Sequence, residues 1–279
     1  MPKTACAEPC RLAEFRYSRV VLTTMHPMTP YFRALAAHAF LFGAVLLRPQ
    51  SVSAQQTYPE PGTNDETGFS AVFDGKTLNG WEGNPKYWRV EDGCLVGEIT
   101  PETLLKTNSF IIWRGGLTRD FELKVDYRVS ARGNSGVNYR SVELPGQPFV
   151  MRGYQADIDG ADKYTGQNYE EKGRTFLALR SQVVRAEPGQ RRKIIGSVGD
   201  SEALEKFVKK NDWNSYHLIV RGNVMLHMLN GHLMSVVIDE DEKNRKFEGQ
   251  LGVQVHVGPP MKIEYRNFRL RNLEPLKAN

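Results

Sequence analysis

From Phe69 onward the chain is built of short runs of β-branched and aromatic residues separated by Gly, Asn and Asp. No other feature constrains the fold as strongly. Runs of about four to eight residues bounded by turn formers make strands, and with hardly a helix between them they must pair into antiparallel sheets. The readable runs are Trp88–Val90, Phe110–Trp113, Phe121–Val129, Val137–Ser141, Gly153–Asp159, Thr175–Leu179, Tyr216–Arg221, Val224–Leu229, His232–Ile238, Leu251–Val257 and Ile263–Arg271. Gly222-Asn223 and Asn230-Gly231 are two-residue turns that join residues 216–238 into a three-strand meander. One helix is expected near Ser201–Lys210, capped by Ser201 and with Leu204, Phe207 and Val208 on one face. The expected fold class is therefore all-β, an antiparallel β-sandwich with at most one short helix.

The charge is unevenly placed. The 279 residues carry 37 Lys and Arg against 32 Asp and Glu. Residues 1–54 hold six of the bases and two of the acids, so the remaining 31 bases and 30 acids nearly cancel. Residues 34–47 are a 14-residue apolar stretch interrupted by His38, with Arg33 before it and Val52-Ser53-Ala54 after it. A membrane span needs roughly 20 residues. The pattern describes a signal peptide ending at Ala54, with translation expected to start at Met25 or Met28. Export to the periplasm or the medium follows, without stable membrane insertion. Beyond the leader only Cys94 remains, so the mature chain forms no intrachain disulfide. Residues 55–68 read as a linker, 69–273 as one β domain and 274–279 as a tail. A nearly neutral body gives no reason to expect nucleic acid as a partner. The Arg191-Arg192-Lys193 cluster reads as a solvated loop.

Side chains alternate across a strand. In 153–159 one face is Tyr154, Ala156 and Ile158, and the other Gln155, Asp157 and Asp159. In 251–257 the polar face is Gly252, Gln254 and His256; in 136–140 Asn138 and Arg140 share the side away from the core. Together these make a sheet face of short amides, carboxylates, an imidazole and a guanidinium, groups that match the paired hydroxyls of a sugar. Trp113, Tyr139, Tyr154, Tyr164 and Tyr169 are available as apolar platforms. Asp157-Ile158-Asp159-Gly160-Ala161-Asp162 resembles the front of a calcium loop, so Asp157, Asp159 and Asp162 are candidate ligands for a divalent cation, although turn chemistry also explains them. His217, His227 and His232 lack metal-ligand spacing. His256 stands apart by sharing its face with Gln254.

Several segments taken in order carry a resemblance: Ala71 to Trp81, Trp88 to Leu95, Gly133 to Arg140, Tyr164 to Tyr169, Asp212-Trp213-Asn214, Gly252 to His256 and Tyr265 to Phe268. Over residues 69–273 the chain resembles the 3-keto-disaccharide hydrolase domain family. The resemblance implies a concanavalin A-like sandwich, or jelly roll, that cleaves 3-keto-glycosides by C2 proton abstraction and elimination, followed by hydration. On that reading Asp157 or His256 is the base and Arg140 the donor to the enolate oxygen. Asn138, Gln155, Asp159, Tyr169, Glu171 and Gln254 bind substrate, with Asp159 and Glu171 as further acids for the leaving group. Two other readings share the fold. A laminarinase-type glycosidase would need carboxylates where Gln155-Ala156-Asp157-Ile158-Asp159 offers an amide, and a non-catalytic carbohydrate-binding module would use the same polar face.

Overall fold

The computed structural model describes residues 66–274. The leader, Cys6 and Cys10, most of the linker and residues 275–279 lie outside the described residues. In chain order the strands are β1 (Ser70–Ala71), β2 (Trp81–Gly83), β3 (Trp88–Glu91), β4 (Cys94–Ile99), β5 (Ser109–Thr118), β6 (Phe121–Val129), β7 (Asn134–Glu143), β8 (Met151–Asp159) and β9 (Asn168–Glu171). Then follow β10 (Thr175–Ala178), β11 (Gln182–Glu187), β12 (Gln190–Ser197), β13 (Asn214–Arg221), β14 (Val224–Leu229), β15 (His232–Asp239), β16 (Gly249–Val255) and β17 (Met261–Asn272). The one α-helix among the described residues, α1 (Ser201–Glu205), is shorter than expected. Its cap is Asp200, whose Oδ1 accepts from the Ala203 N–H at 2.8 Å, rather than Ser201. No helix among the described residues is long and apolar enough to cross a membrane.

The strands form two sheets. The larger runs β12-β11-β15-β14-β13-β6-β17-β4-β3, with β1 added beside β17; the smaller runs β10-β9-β8-β7-β16-β5-β2. The turns at 222–223 and 230–231 do link β13, β14 and β15 as a meander. The sheets are antiparallel except where β11 and β15 run side by side in the same direction. Between the two sheets lies the core. Leu123, Val125, Tyr127, Leu218 and Val220 of the larger sheet face Val137, Tyr139, Tyr154, Ala156, Ile158, Val253 and Val255 of the smaller one. Full burial of each large apolar side chain contributes roughly 1.5–3 kcal/mol.

Five strands escape the sequence reading: β1, β2, β9, β11 and β12. Most are short; β4, by contrast, is signalled by the Asp92-Gly93 turn that leads into Cys94. Gly97 in β4 is required, because a Cβ there would stand 2.6 Å from the Trp88 ring. The Arg191-Arg192-Lys193 segment is not a loop but part of β12, an edge strand exposed along its whole length.

The core also holds a polar cluster. The Tyr139 hydroxyl lies 2.8 Å from His227 Nε2 and accepts from Asn168 Nδ2 at 3.0 Å. His227 Nδ1 stands 3.3 Å from the Gln167 carbonyl. That contact assigns the ring proton to Nδ1. Burial pulls the His227 pKa down to about 4, against a small opposing pull from the Gln167 carbonyl, so the ring sits neutral in the core.

Candidate active site

The smaller sheet buries one face in the core and turns the other outward. One rung crosses all seven of its strands on that outer face: Glu82, Ile112, Gly252, Asn138, Gln155, Tyr169 and Phe176. Along it the chemistry passes from a carboxylate and an aliphatic side chain through amides to aromatic rings. Asp157 lies two residues beyond Gln155 on β8, opposite Gly136.

The face is curled. Glu171 on β9 accepts from Gln254 Nε2 on β16 at 3.3 Å, although β8 and β7 lie between those strands. Its other oxygen accepts from Asn108 Nδ2, just before β5, at 3.2 Å. Side chains on non-adjacent strands meet this way only if the sheet bends into a groove. The Val257 N–H donates to Asn108 Oδ1 at 2.9 Å, which sets the amide's orientation.

A cleft of about 310 Å³ occupies the groove, lined by Asn108, Asn134, Gln155, Asp157, Tyr164, Tyr169, Glu171, Phe176 and His256. Gln155 Nε2 donates to Asn138 Oδ1 at 3.1 Å. Its side chain lies over Gly136, where a Cβ would come within 2.4 Å of Nε2. His256 Nδ1 sits 2.6 Å from the Val257 carbonyl, a contact that places the proton on Nδ1 and leaves Nε2 as the acceptor in the neutral ring.

Asp157 is only 6% exposed. Among the described residues no other side chain hydrogen-bonds its carboxyl. Burial raises its pKa well above the usual carboxylate value; the charges of Asp159 and Glu171 push the same way, and the Ile158 N–H opposes them. The main chain of Asp157 is held from behind. The Tyr216 hydroxyl, on the larger sheet, donates to the Asp157 carbonyl at 2.6 Å and accepts from the Gly166 N–H at 2.8 Å. Burial, followed by the charges of Glu171 and Asp157, also raises the Tyr169 phenol, which stays a donor.

The expected residues therefore separate into groups. Asp157, His256, Gln155, Tyr169 and Glu171 line the cleft. Asn138 and Gln254 are buried beneath them, at 0% and 1% exposure, and orient Gln155 and Glu171 rather than meeting a ligand. Asp159 is spent on its own turn, accepting from the N–H groups of Ala161 and Lys163, both at 3.1 Å. Asp162 pairs with Lys210 at 3.1 Å. Two of the three candidate cation ligands, Asp159 and Asp162, are thus committed elsewhere, and among the described residues no three His, Cys, Asp or Glu side chains gather as a metal-binding group. Tyr139 and Tyr154 face the core and offer no platform.

Arg140 is the clearest correction. A register shift interrupts the β7–β8 pairing between Tyr139 and Val142, and Arg140 adopts φ 45°. A bulge of this kind re-aims a side chain. The guanidinium donates to the carbonyls of Arg119, Gly222 and Lys246 and to Asp120 Oδ1, at 2.6 to 3.1 Å. It is a buried staple outside the cleft. Asn108, Asn134 and Phe176, which do line it, went unread. They stand at or near strand ends, where alternation carries no signal.

A two-sheet β-sandwich whose outer groove presents an unpaired buried carboxyl, oriented amides and aromatic rings defines a ligand-binding or catalytic domain of that class. Residues 68–271 match the model of the 3-keto-alpha-glucoside-1,2-lyase-like domain, and the chain belongs to that family. Over 87 residues it is 36% identical to a 3-keto-disaccharide hydrolase of Bacteroides thetaiotaomicron, a stretch covering 29% of this chain and only 30% of that protein. Similar solved structures include a Parabacteroides distasonis protein provisionally assigned as a glycosyl hydrolase, at 19% identity and TM-score 0.49, covering 74% of this chain and 99% of the other. A carbohydrate binding module from Bacillus subtilis matches at 16% identity and TM-score 0.45, covering 69% of this chain and 96% of the module.

Proposed function

We propose that this domain cleaves 3-keto-glycosides by elimination and rehydration, and that the signal-peptide pattern exports it to the periplasm or the medium. The family supports action on a carbohydrate. The observation that carries the mechanism is the Asp157 carboxyl, without a side-chain partner in the cleft and with its pKa raised. A ketone at sugar C3 acidifies the C2–H bond, and a base whose pKa approaches the working pH removes such a proton most effectively.

In this scheme Asp157 takes the C2 proton while the C3 oxygen gains enolate character. The Asn134 amide, in the same cleft, replaces Arg140 as the donor to that oxygen. The C1–O bond then breaks, and the leaving oxygen receives a proton from Nε2 of a His256 that enters the cycle doubly protonated. Water adds across the new C1=C2 bond, its hydroxyl to C1, its remaining proton to His256 Nε2 and a solvent-exchanged proton from Asp157 back to C2, which yields the free 3-keto sugar and restores both residues. Gln155, an amide, neither gives nor takes a proton at neutral pH and binds a hydroxyl through its oxygen. Glu171, held by Asn108 and Gln254, accepts from another hydroxyl.

The test is to incubate the protein with a 3-keto-glucoside and with the unoxidised glucoside in D2O. Aglycone release from the keto form alone, with deuterium appearing at C2, supports the reading. Release without deuterium at C2 removes the elimination step. Binding of sugar with no release from either substrate leaves a carbohydrate-binding module.

A further inference from the structure

The aromatic end of the cleft has no part in the bond-breaking scheme. Phe176 and Tyr169 are register partners on β10 and β9. Their rings meet edge to face at 4.9 Å. Tyr164 stacks on Phe176 as well, at 5.5 Å and 25°. All three side chains are half-buried and line the same cleft as Asp157. Loose rings would not make a site, but these are fixed. Asp159 closes the turn that bears Tyr164 through the Ala161 and Lys163 N–H groups. Arg180, itself 6% exposed, donates to the carbonyls of Asp162 and Thr165 in the same turn.

We propose that Tyr164, Phe176 and Tyr169 form a leaving-group subsite that stacks the second pyranose ring of a 3-keto-disaccharide; this rests on the reading of Asp157 given above. The ledge matches the C–H face of a sugar ring. Among the described residues neither the Tyr164 nor the Tyr169 hydroxyl has a hydrogen-bond partner, so both are free to meet hydroxyls at that ring's rim. A flat aryl aglycone would use the rings but not the two hydroxyls. The cleft, at about 310 Å³, falls at the small end of ligand pockets, roughly 300–1,000 Å³, so the second ring lies partly in solvent.

The experiment compares a 3-keto-disaccharide with the methyl 3-keto-glucoside, whose leaving group has no ring, in the full chain and in Phe176→Ala and Tyr164→Ala. Both variants should raise KM for the disaccharide at least fivefold and change the methyl glycoside less than twofold. Phe176→Tyr should restore the disaccharide KM. Equal changes on both substrates, or none on either, overturn the subsite. So does an aryl 3-keto-glucoside that is preferred over the disaccharide and loses as much in Phe176→Ala. If the unmodified protein cleaves neither substrate, the catalytic reading fails by itself. Calorimetric binding of the disaccharide then decides the subsite, which stands if binding weakens at least fivefold in Phe176→Ala and falls if it does not.

Discussion

A carboxyl that is buried, without a side-chain partner and flanked by two other carboxylates resists ionisation, and Asp157 combines all three conditions. The folded protein therefore holds the Asp157 proton more tightly than the unfolded chain does. Between an ordinary aspartate pKa of about 4 and the raised folded value, this group costs stability as pH rises. Asp157→Asn should accordingly melt higher than the unmodified protein at pH 7–8, and the difference should vanish below about pH 4. The same substitution should lower kcat more than tenfold with 3-keto-glucosides. In the unmodified protein, kcat/KM should rise with pH through a limb above the ordinary carboxylate range. Asp157, Gln155 and Gln254 were legible because each belongs to a long alternating run, where alternation assigns a face. Asn108 and Asn134 were not, because their roles come from the curl of a sheet whose neighbours no single strand reveals.

At the scale of the element, the bulge in β7 decides what Arg140 does. Alternation placed it beside Asn138, but alternation fails wherever one extra residue enters a strand, and the positive φ that marks this bulge leaves no trace in residue type. Arg140→Leu should destabilise the fold by roughly 3–5 kcal/mol, since it strands Asp120 and three carbonyls without their partner. Arg140→Lys should lower the melting temperature and leave kcat within twofold; a tenfold loss of kcat in a folded Arg140→Lys would return the residue to the active site. Strand β12 presents a different problem. It is an open edge with Ile194 and Ile195 exposed at 56% and 44%, and Arg192 and Lys193 beside them act as charged guards against edge-to-edge pairing. The double variant Arg192→Ala/Lys193→Ala should therefore associate at lower concentration in sedimentation velocity runs. The arginines and lysine read as a loop because Pro188 and Gly189 stand just before them and all three are charged.

For the molecule as a whole, the sandwich and its meander were readable from run length and turn residues alone. The polar cluster inside the core was not, since a histidine in a strand says nothing about which face it takes. That cluster has a measurable consequence. With His227 at about 4 when folded and about 6.5 when unfolded, stability is present above the unfolded value. It drains away as pH falls from about 6.5 to about 4, by on the order of 3 kcal/mol. Chemical denaturation across that interval measures the loss, and His227→Gln, which cannot take up a proton, should flatten it. Tyr216 connects this interior to the chemistry outside. Its hydroxyl, rooted in one sheet, grips the backbone of the residue assigned as the base on the other. The two layers are thus not free to shear past each other without carrying Asp157 along, and a displacement of about 1 Å is enough to spoil an attack geometry. The grease between the sheets and the alignment of the reacting atoms are, through one phenol, the same mechanical problem.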